Sequence, residues 1–455
     1  MKSPHFVLIL FTLFLLTAPG CTDNIADAPE PTRHFNDFKE TPLSHRLKVT
    51  ELTFKGNPLA SGWEIGIYTW SGILAGSGFW NADSGTGIDV FESEGEITQF
   101  YYGDYFDARL WDPINRQIYY SDVTILSGRD SWINNGYSEI GIDGYSAREL
   151  RVKLAAGWNL MSINIKPIKI MFSRTDGPDF RKMLTQMGTG SVSNLLLAKN
   201  ERGLFYVPSR GFNGIPYWNI SEGYQLSVDQ PFECIWLGRE VEVNDSININ
   251  RGWNMIAYYP TYPLSCDSIS FLAISSIEQN VIITKDGKGR FAIPTHRFSN
   301  MIPWHEGQGY QINVSSTSYQ NYPAAEATAP QLNSMDTLST FGPWTTPINT
   351  GNNMSVLVNE FVGIVPTNGD AVAAFSRNNR LVGLGHVGSG RAGLAVWGDD
   401  QSTGAVEGLS QSESFTLRYW SAATNEIDTL SAITIQGDGL SYTVDGLTVV
   451  RGIGQ

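Results

Sequence analysis

Over long stretches of this chain apolar and polar residues alternate one by one, and glycine, asparagine or aspartate interrupts them about every ten residues. Phe106-Asp107-Ala108-Arg109-Leu110-Trp111 and Phe415-Thr416-Leu417-Arg418-Tyr419-Trp420 show the pattern most cleanly. Alternation turns one face of an extended segment toward a core and the other toward water, so these runs predict half-buried β-strands. Two such stretches, residues 46–147 and 338–455, each predict a β-sandwich-like module.

The segment between them contains one unit twice. Leu154 to Ser162, centred on Gly157-Trp158-Asn159, returns as Ile249 to Ala257, centred on Gly252-Trp253-Asn254, at an offset of 95 residues. Leu195–Pro208 returns as Val281–Pro294, and Trp218 with Gly223-Tyr224-Gln225 returns as Trp304 with Gly309-Tyr310-Gln311, both at an offset of 86. An insertion in the first copy, placed in Phe172–Asp179, accounts for the difference. Gly-Trp-Asn predicts a tight turn into a strand, with the indole covering the edge of a small core. Asn200 to Gly203 and Lys285 to Gly289 lie between apolar runs and predict hairpin turns. Phe180–Leu184 and Ile269–Ala273 are the short-helix candidates. Each repeat is thus a small β-rich (α+β) unit.

The flanking modules match each other as well. Trp80, Asp83, Thr86 and Gly87 align with Trp397, Asp400, Thr403 and Gly404 at an offset of 317, as does Glu96 with Glu413. Phe106, Arg109 and Trp111 align with Phe415, Arg418 and Trp420 at an offset of 309. Upstream, Ile67-Tyr68 with Gly76 and Gly78 aligns with Ala373-Ala374 and Gly383 and Gly385. The expected fold is therefore mostly β, with unit order A-B-B-A. Module A1 takes 46–147, repeat B1 148–238, repeat B2 239–314 and module A2 338–455. Residues 21–45 and 315–337 lack periodicity and read as flexible linkers.

On these residues the B units resemble the "GWNLIS" repeats of large secreted and surface proteins in environmental Gram-negative bacteria. The last A unit, from Thr350-Gly351-Asn352-Asn353-Met354 to Trp397-Gly398-Asp399-Asp400, resembles a module found in the same kind of protein. The resemblance implies surface display and multi-domain assembly, and brings no catalytic residues with it.

The N-terminus adds an address. Lys2 precedes an apolar core from Phe6 to Leu16, the length of a signal-peptide core and too short to span a bilayer. Gly20-Cys21 then resembles the lipobox of bacterial lipoproteins, which implies cleavage after residue 20 and lipidation of Cys21. Several acyl chains anchor firmly where one is marginal. Thr22 in place of aspartate favours the outer membrane, and Asp23, Asp27 and Glu30 resemble an acidic signal for the cell surface.

Composition removes some function classes. A formal net charge of −14 argues against nucleic acid, whose phosphates call for Lys and Arg. Neither a GxSxG elbow, a phosphate-binding GxxxxGK[ST] loop nor an HExxH motif occurs. Glu92, Glu94 and Glu96 read as a solvated strand edge rather than a glycosidase pair. Asp399, Asp400 and Thr403 could offer oxygen ligands to calcium, against a reading in which the aspartates shape their own loop. Cys234 and Cys266 could close a disulfide, worth roughly 3–4 kcal/mol. Trp158, Trp253, Trp218 and Trp304 recur in both repeats and read as packing. Trp63, Trp70, Tyr101, Tyr102 and Tyr105 have no counterparts in A2, and so are the better ligand candidates.

The expectation is a non-enzymatic lipoprotein at the outer membrane or cell surface, a scaffold for adhesion or envelope assembly, with no cofactor. Its partners would be the membrane, through the anchor, and envelope proteins. The alternative is capture of extracellular glycans by the aromatics of A1; an envelope hydrolase is the remote third.

Overall fold

The computed structural model describes residues 32–185, 194–324, 340–437 and 439–454. Strands dominate, and among these residues one short α-helix, Phe180–Thr185, is found. No helix among them is long and apolar enough to cross a membrane.

The first module is built from β1 (Ser44–Phe54), β2 (Glu64–Thr69), β3 (Leu74–Phe79), β4 (Thr86–Phe91), β5 (Phe106–Asp112), β6 (Gln117–Gly128) and β7 (Tyr137–Tyr145). They curl into one sheet in the order β4-β1-β7-β6-β5-β2-β3. The last module has β8 (Asn353–Val362), β9 (Ala371–Ser376), β10 (Leu381–Gly388), β11 (Arg391–Trp397), β12 (Phe415–Trp420), β13 (Ile427–Gln436) and β14 (Leu447–Gly454). Their order is β11-β8-β14-β13-β12-β9-β10, and the β10–β11 ladder closes the barrel. The two modules thus share one topology, including an unusual parallel pair, β1 with β7 and β8 with β14. Two features differ among the described residues: no ladder joins β3 to β4, and Asn57–Pro58 pairs with the end of β1 without a counterpart in the last module. The mostly β expectation holds, with a closed barrel and its open counterpart where sandwiches were expected.

Fine detail repeats too. The parallel pairs bulge between Val49 and Glu51 and between Val358 and Glu360. A second bulge falls between Ile125 and Ser127 and between Thr434 and Gln436. Just before the last strand, Asn135 and Asp445 adopt positive φ (53° and 57°) and donate backbone N–H groups to the carbonyls of Ser44 and Asn353. Arg109 lies over the Tyr68 ring and Arg418 over the Phe375 ring, both at 4.1 Å.

This register corrects part of the sequence alignment. Phe106, Arg109 and Trp111 do correspond to Phe415, Arg418 and Trp420. Gly76 and Gly383 correspond as well, facing Ile67 and Ala374 respectively. Ile67 therefore matches Ala374, one residue from the alignment above. The Trp80 and Trp397 motifs do not correspond at all. Trp80 follows β3 and points into the core, whereas Trp397 ends β11 and faces the second repeat beside Gly289. Glu413 matches Asp104, not Glu96: Trp132 N–H donates to the Asp104 carbonyl as Tyr442 N–H does to that of Glu413.

Each repeat forms a five-stranded antiparallel sheet. In B1, Gly157–Met161, Tyr224–Val228, Leu195–Lys199, Phe205–Val207 and Phe212–Asn213 lie side by side. In B2 the order is Gly252–Ala257, Gly309–Val314, Val281–Lys285, Phe291–Ile293 and Phe298–Ser299. Gly157 and Gly252 open their first strands at φ 88° and 97°, a conformation that favours glycine. The hairpin turns are as expected: Asn200 and Asp286 each accept two backbone N–H bonds on the side chain. Phe180–Leu184 is helical, but Ile269–Ala273 is not. Phe271 is left-handed there, and only a 3-10 turn, Leu272–Ile274, follows.

Two expected linkers are partly structural. Phe35 is buried against Tyr68 and Leu74 on the outer face of the first module, and the N–H groups of His34 and Phe35 donate to the Glu64 carboxylate. Ser318–Gln320 pairs with Ile247–Ile249, and Tyr322 is buried in the B2 core. Three or four apolar residues carry no measurable period, so the sequence alone predicts linker in both segments.

Candidate functional site: the junctions between units

The two repeats face each other across a local twofold axis. An antiparallel bridge joins Met161 to Gln308, and its counterpart joins Ile256 to Glu222. Ser162 N–H donates to the Gly307 carbonyl, and Ala257 N–H to that of Ser221. At the axis a Cβ on Gly309 would lie 2.9 Å from the Met161 oxygen, and one on Gly223 3.1 Å from the Ile256 oxygen. This is the isologous arrangement of a symmetric dimer, made within one chain.

The pair then presents equivalent groups to the last barrel. In B1, Lys199 Nζ sits 4.3 Å from the Trp158 ring, and Trp158 Nε1–H donates to Asp400 Oδ2 at 2.7 Å. In B2, Lys285 Nζ sits 4.5 Å from the Trp253 ring and bonds Asp445 Oδ1 at 2.6 Å and Asn353 Oδ1 at 3.3 Å. The Lys285 side chain is fully buried, while that of Asp445 remains 31% exposed. Burial pushes both lysines below the usual ammonium range; acidic groups, Asp445 for Lys285 and chiefly Asp400 for Lys199, push back. For Asp400 burial acts upward, but the bonds from Ser402 and Trp158 and the charge of Lys199 hold it below the ordinary carboxylate range. The Gly-Trp-Asn indoles therefore face the barrel rather than capping their own repeats. The repeat cores rest instead on Trp218 tilted against Tyr224 and Trp304 stacked on Tyr310, ring centroids 4.2 and 3.8 Å apart.

A second junction holds the first module to B1. Lys169, Ile170 and Phe172 belong to the stretch by which B1 exceeds B2. Pro178 and Leu264 both accept from the repeated tryptophans, Trp218 and Trp304, so the extra residues precede 178 and reach back to the Ile165–Pro167 strand. Phe172 meets the Trp70 ring edge-on at 5.7 Å, and Trp70 also stacks on Tyr105 at 4.5 Å. Nearby, Arg239 pairs with Asp122 and Asp143. Asp107 is buried among these groups, and desolvation pushes its carboxyl up to about 7 against the pull of Arg109.

The remaining sequence candidates separate. Trp63 packs on the first core near Phe54 and Tyr119, away from Trp70 and Tyr105. Tyr101 and Tyr102 sit on one loop, 58% and 83% exposed. The five aromatics do not form one platform. Asp399 accepts from the N–H groups of Glu407 and Gly408, and Asp400 from Ser402 and Trp158; Thr403 donates to Glu407. Those carboxylates shape the loop and dock B1, and among the described residues no group of three His, Cys, Asp or Glu side chains is poised for a metal. Cys234 and Cys266 are free and buried in different cores, B1 and B2, where Cys266 takes the place of Phe180 and Cys234 that of Gln320. No bridge forms because the two thiols are enclosed in separate cores. Cys21 lies outside the described residues.

Sequence reasoning missed Lys199, Lys285, Asn353 and Asp445 as junction residues. The lysines do align between the repeats, in LLLAKN and VIITKD, and a lysine recurring at the end of an apolar strand was the available signal.

No family model matches the chain, and no curated protein matches it. Among solved structures, it pairs with the TIE protein of Bacillus anthracis at 8% identity and a TM-score of 0.14, covering 90% of this chain and 50% of that one. It also pairs with a variant of the major pilin subunit of Bacillus cereus at 8% identity and a TM-score of 0.12, covering 90% and 99%. The chain thus spans half the length of the first of these, and scores so low carry no argument about this protein.

Proposed function

We propose that the chain is a non-enzymatic scaffold lipoprotein, exported and held by lipid at Cys21, whose four units act as one braced body at the cell surface. One observation carries the reading: the repeated Trp–Lys pairs are spent on joining units, and Trp158 borders only a water-sized gap at the junction it makes. A ligand-binding repeat would leave such groups open to solvent. A spacer that must hold its shape outside the cell uses them as fasteners, and the insertion in B1 does the same at the other end. Envelope proteins are the partners this reading assigns.

Exposed Tyr101 and Tyr102 favour one second reading, glycan capture at the loop before β5, since exposed aromatic faces are what sugars stack on. A glycan array probed with residues 22–455, alongside pull-down from envelope extracts, decides between them. The scaffold reading expects a silent array and a captured envelope protein. Glycan binding that disappears in the Tyr101→Ala, Tyr102→Ala double variant would replace it. Labelling with a fatty-acid analogue, present in the full chain and lost in Cys21→Ala, tests the anchor.

A further inference from the structure

The junction between B2 and the last barrel holds more than a salt bridge. Lys285 Nζ, a primary amine, lies 3.3 Å from the carboxamide oxygen of Asn353 and 2.6 Å from the carboxylate of Asp445. The lysine is fully buried, Asn353 is 5% exposed, and the Trp253 ring covers the amine at 4.5 Å. All three polar groups are held by backbone that leaves them little freedom. Lys285 ends a strand, Asn353 begins β8, and Asp445 occupies the left-handed turn whose N–H is bonded to the Asn353 carbonyl. A buried amine and carboxamide, with a part-exposed carboxylate on the amine, are the reactants and the base of an amide exchange.

We propose that Lys285 and Asn353 become joined by an intramolecular amide bond, with Asp445 moving the proton. The Nζ lone pair attacks Asn353 Cγ, one bond from the oxygen it already contacts. A new C–N bond forms and the bond from Cγ to Nδ2 breaks. Asp445 takes one proton from the ammonium to free that lone pair, then relays a second from Nζ to Nδ2, which leaves as ammonia, and Asp445 ends protonated. Atoms balance without oxidant, reductant or co-reactant. The ion pair is the state before reaction; the neutral amine it needs is the form that desolvation favours. Proximity supplies much of the rest, since a held pair of reactants replaces a collision.

Lys199 is the internal control. It occupies the equivalent place in B1 and covers Trp158 in the same way, yet among the described residues no carboxamide is in hydrogen-bond contact with it. The bond would tie B2 to the last barrel covalently across the intervening segment. It does not depend on export or on the lipid anchor.

Intact-mass measurement of purified residues 22–455 tests the proposal on the unsubstituted chain. The expected mass is lower than the sequence requires by one ammonia. Tryptic mapping should then find the peptide bearing Lys285 joined to the one bearing Asn353, with Lys199 free. Asn353→Ala should restore the full mass, and Asp445→Asn should leave most chains unjoined while far-UV circular dichroism still reports β structure. Full mass with only linear peptides from the unsubstituted, folded protein would overturn the proposal. So would loss of water with Lys285 joined to Asp445, which would make the carboxylate the acceptor rather than the base.

Discussion

Gly309 is one of the places where the two repeats approach closely, and replacing it with alanine measures whether the pair is rigid. The new Cβ would sit 2.9 Å from the Met161 carbonyl oxygen and 3.3 Å from the Gly223 Cα. Both are backbone atoms at the twofold axis, so relief requires one repeat to shift against the other. Overpacking of this kind costs about 1–3 kcal/mol. Gly309 does not have left-handed φ, so alanine also restricts the unfolded chain and returns about 0.4–1 kcal/mol. The net expectation is a loss of about 1–2 kcal/mol. Gly223→Ala, with nearest atoms at 3.1 and 3.5 Å, should cost less. Because both methyl groups press on one seam, their double variant should depart from additivity. Gly388→Ala is the control, since nothing lies within 4 Å of its Cβ. Urea unfolding followed by tryptophan fluorescence reads the transition of the repeats through buried Trp218 and Trp304. If Gly309→Ala proves as stable as Gly388→Ala, the repeats slide freely and the braced-body argument fails.

Other expectations follow from the two junctions and the cores. Asp107 keeps its proton up to about pH 7 in the fold but only to about 3.9 when unfolded, so its contribution to stability is complete below about pH 4 and drains away as pH rises to 7. Asp107→Asn should flatten that part of the pH–melting profile and raise the melting temperature at pH 8; a profile unchanged by the substitution would contradict the assignment. Trp158→Phe removes the donor to Asp400 and should cost about 1.5–3 kcal/mol, the range for a hydrogen bond to a charged group. Asp400 is depressed in the fold, so its contribution is present above about pH 4 and lost as pH falls below it; Trp158→Phe should move that acid limb upward in pH. Cys234 and Cys266 should be silent to a thiol reagent in the native protein and both reactive after denaturation without reductant, because burial pushes both thiols up and no bridge joins them.

What could be read from the sequence was what few residue types can do. Gly157 and Gly252 stand at left-handed φ, and the Asn200 and Asp286 turns need a side-chain acceptor, so those positions betrayed the repeat and its hairpins. The topology shared by the outer modules was legible only where a strand carried large residues in register, as in β5 and β12. The Trp80 and Trp397 match misled because tryptophan, aspartate, threonine and glycine recur wherever a strand runs into a polar turn, whichever strand it is. Barrel closure was invisible: it depends on a ladder between β10 and β11 that forms in one module and not the other, with Gly76 beside the Asp89 carbonyl at the seam left unpaired.

The aromatics without counterparts teach a subtler point. Sequence alone makes Trp70 a ligand candidate because the last module does without it, which holds only if a scaffold's own needs are identical in both copies. They are not. A1 is followed by a repeat carrying an insertion, and Lys169 and Phe172 of that insertion are what Trp70 meets. An unrepeated residue can answer an unrepeated neighbour in the same chain. The repeated tryptophans obey the same logic from the other side, since two equivalent repeats docking on one asymmetric barrel must find two different acids, Asp400 and Asp445, for the same Trp–Lys pair. The fastener occurs twice, and the barrel holds a separate socket for each.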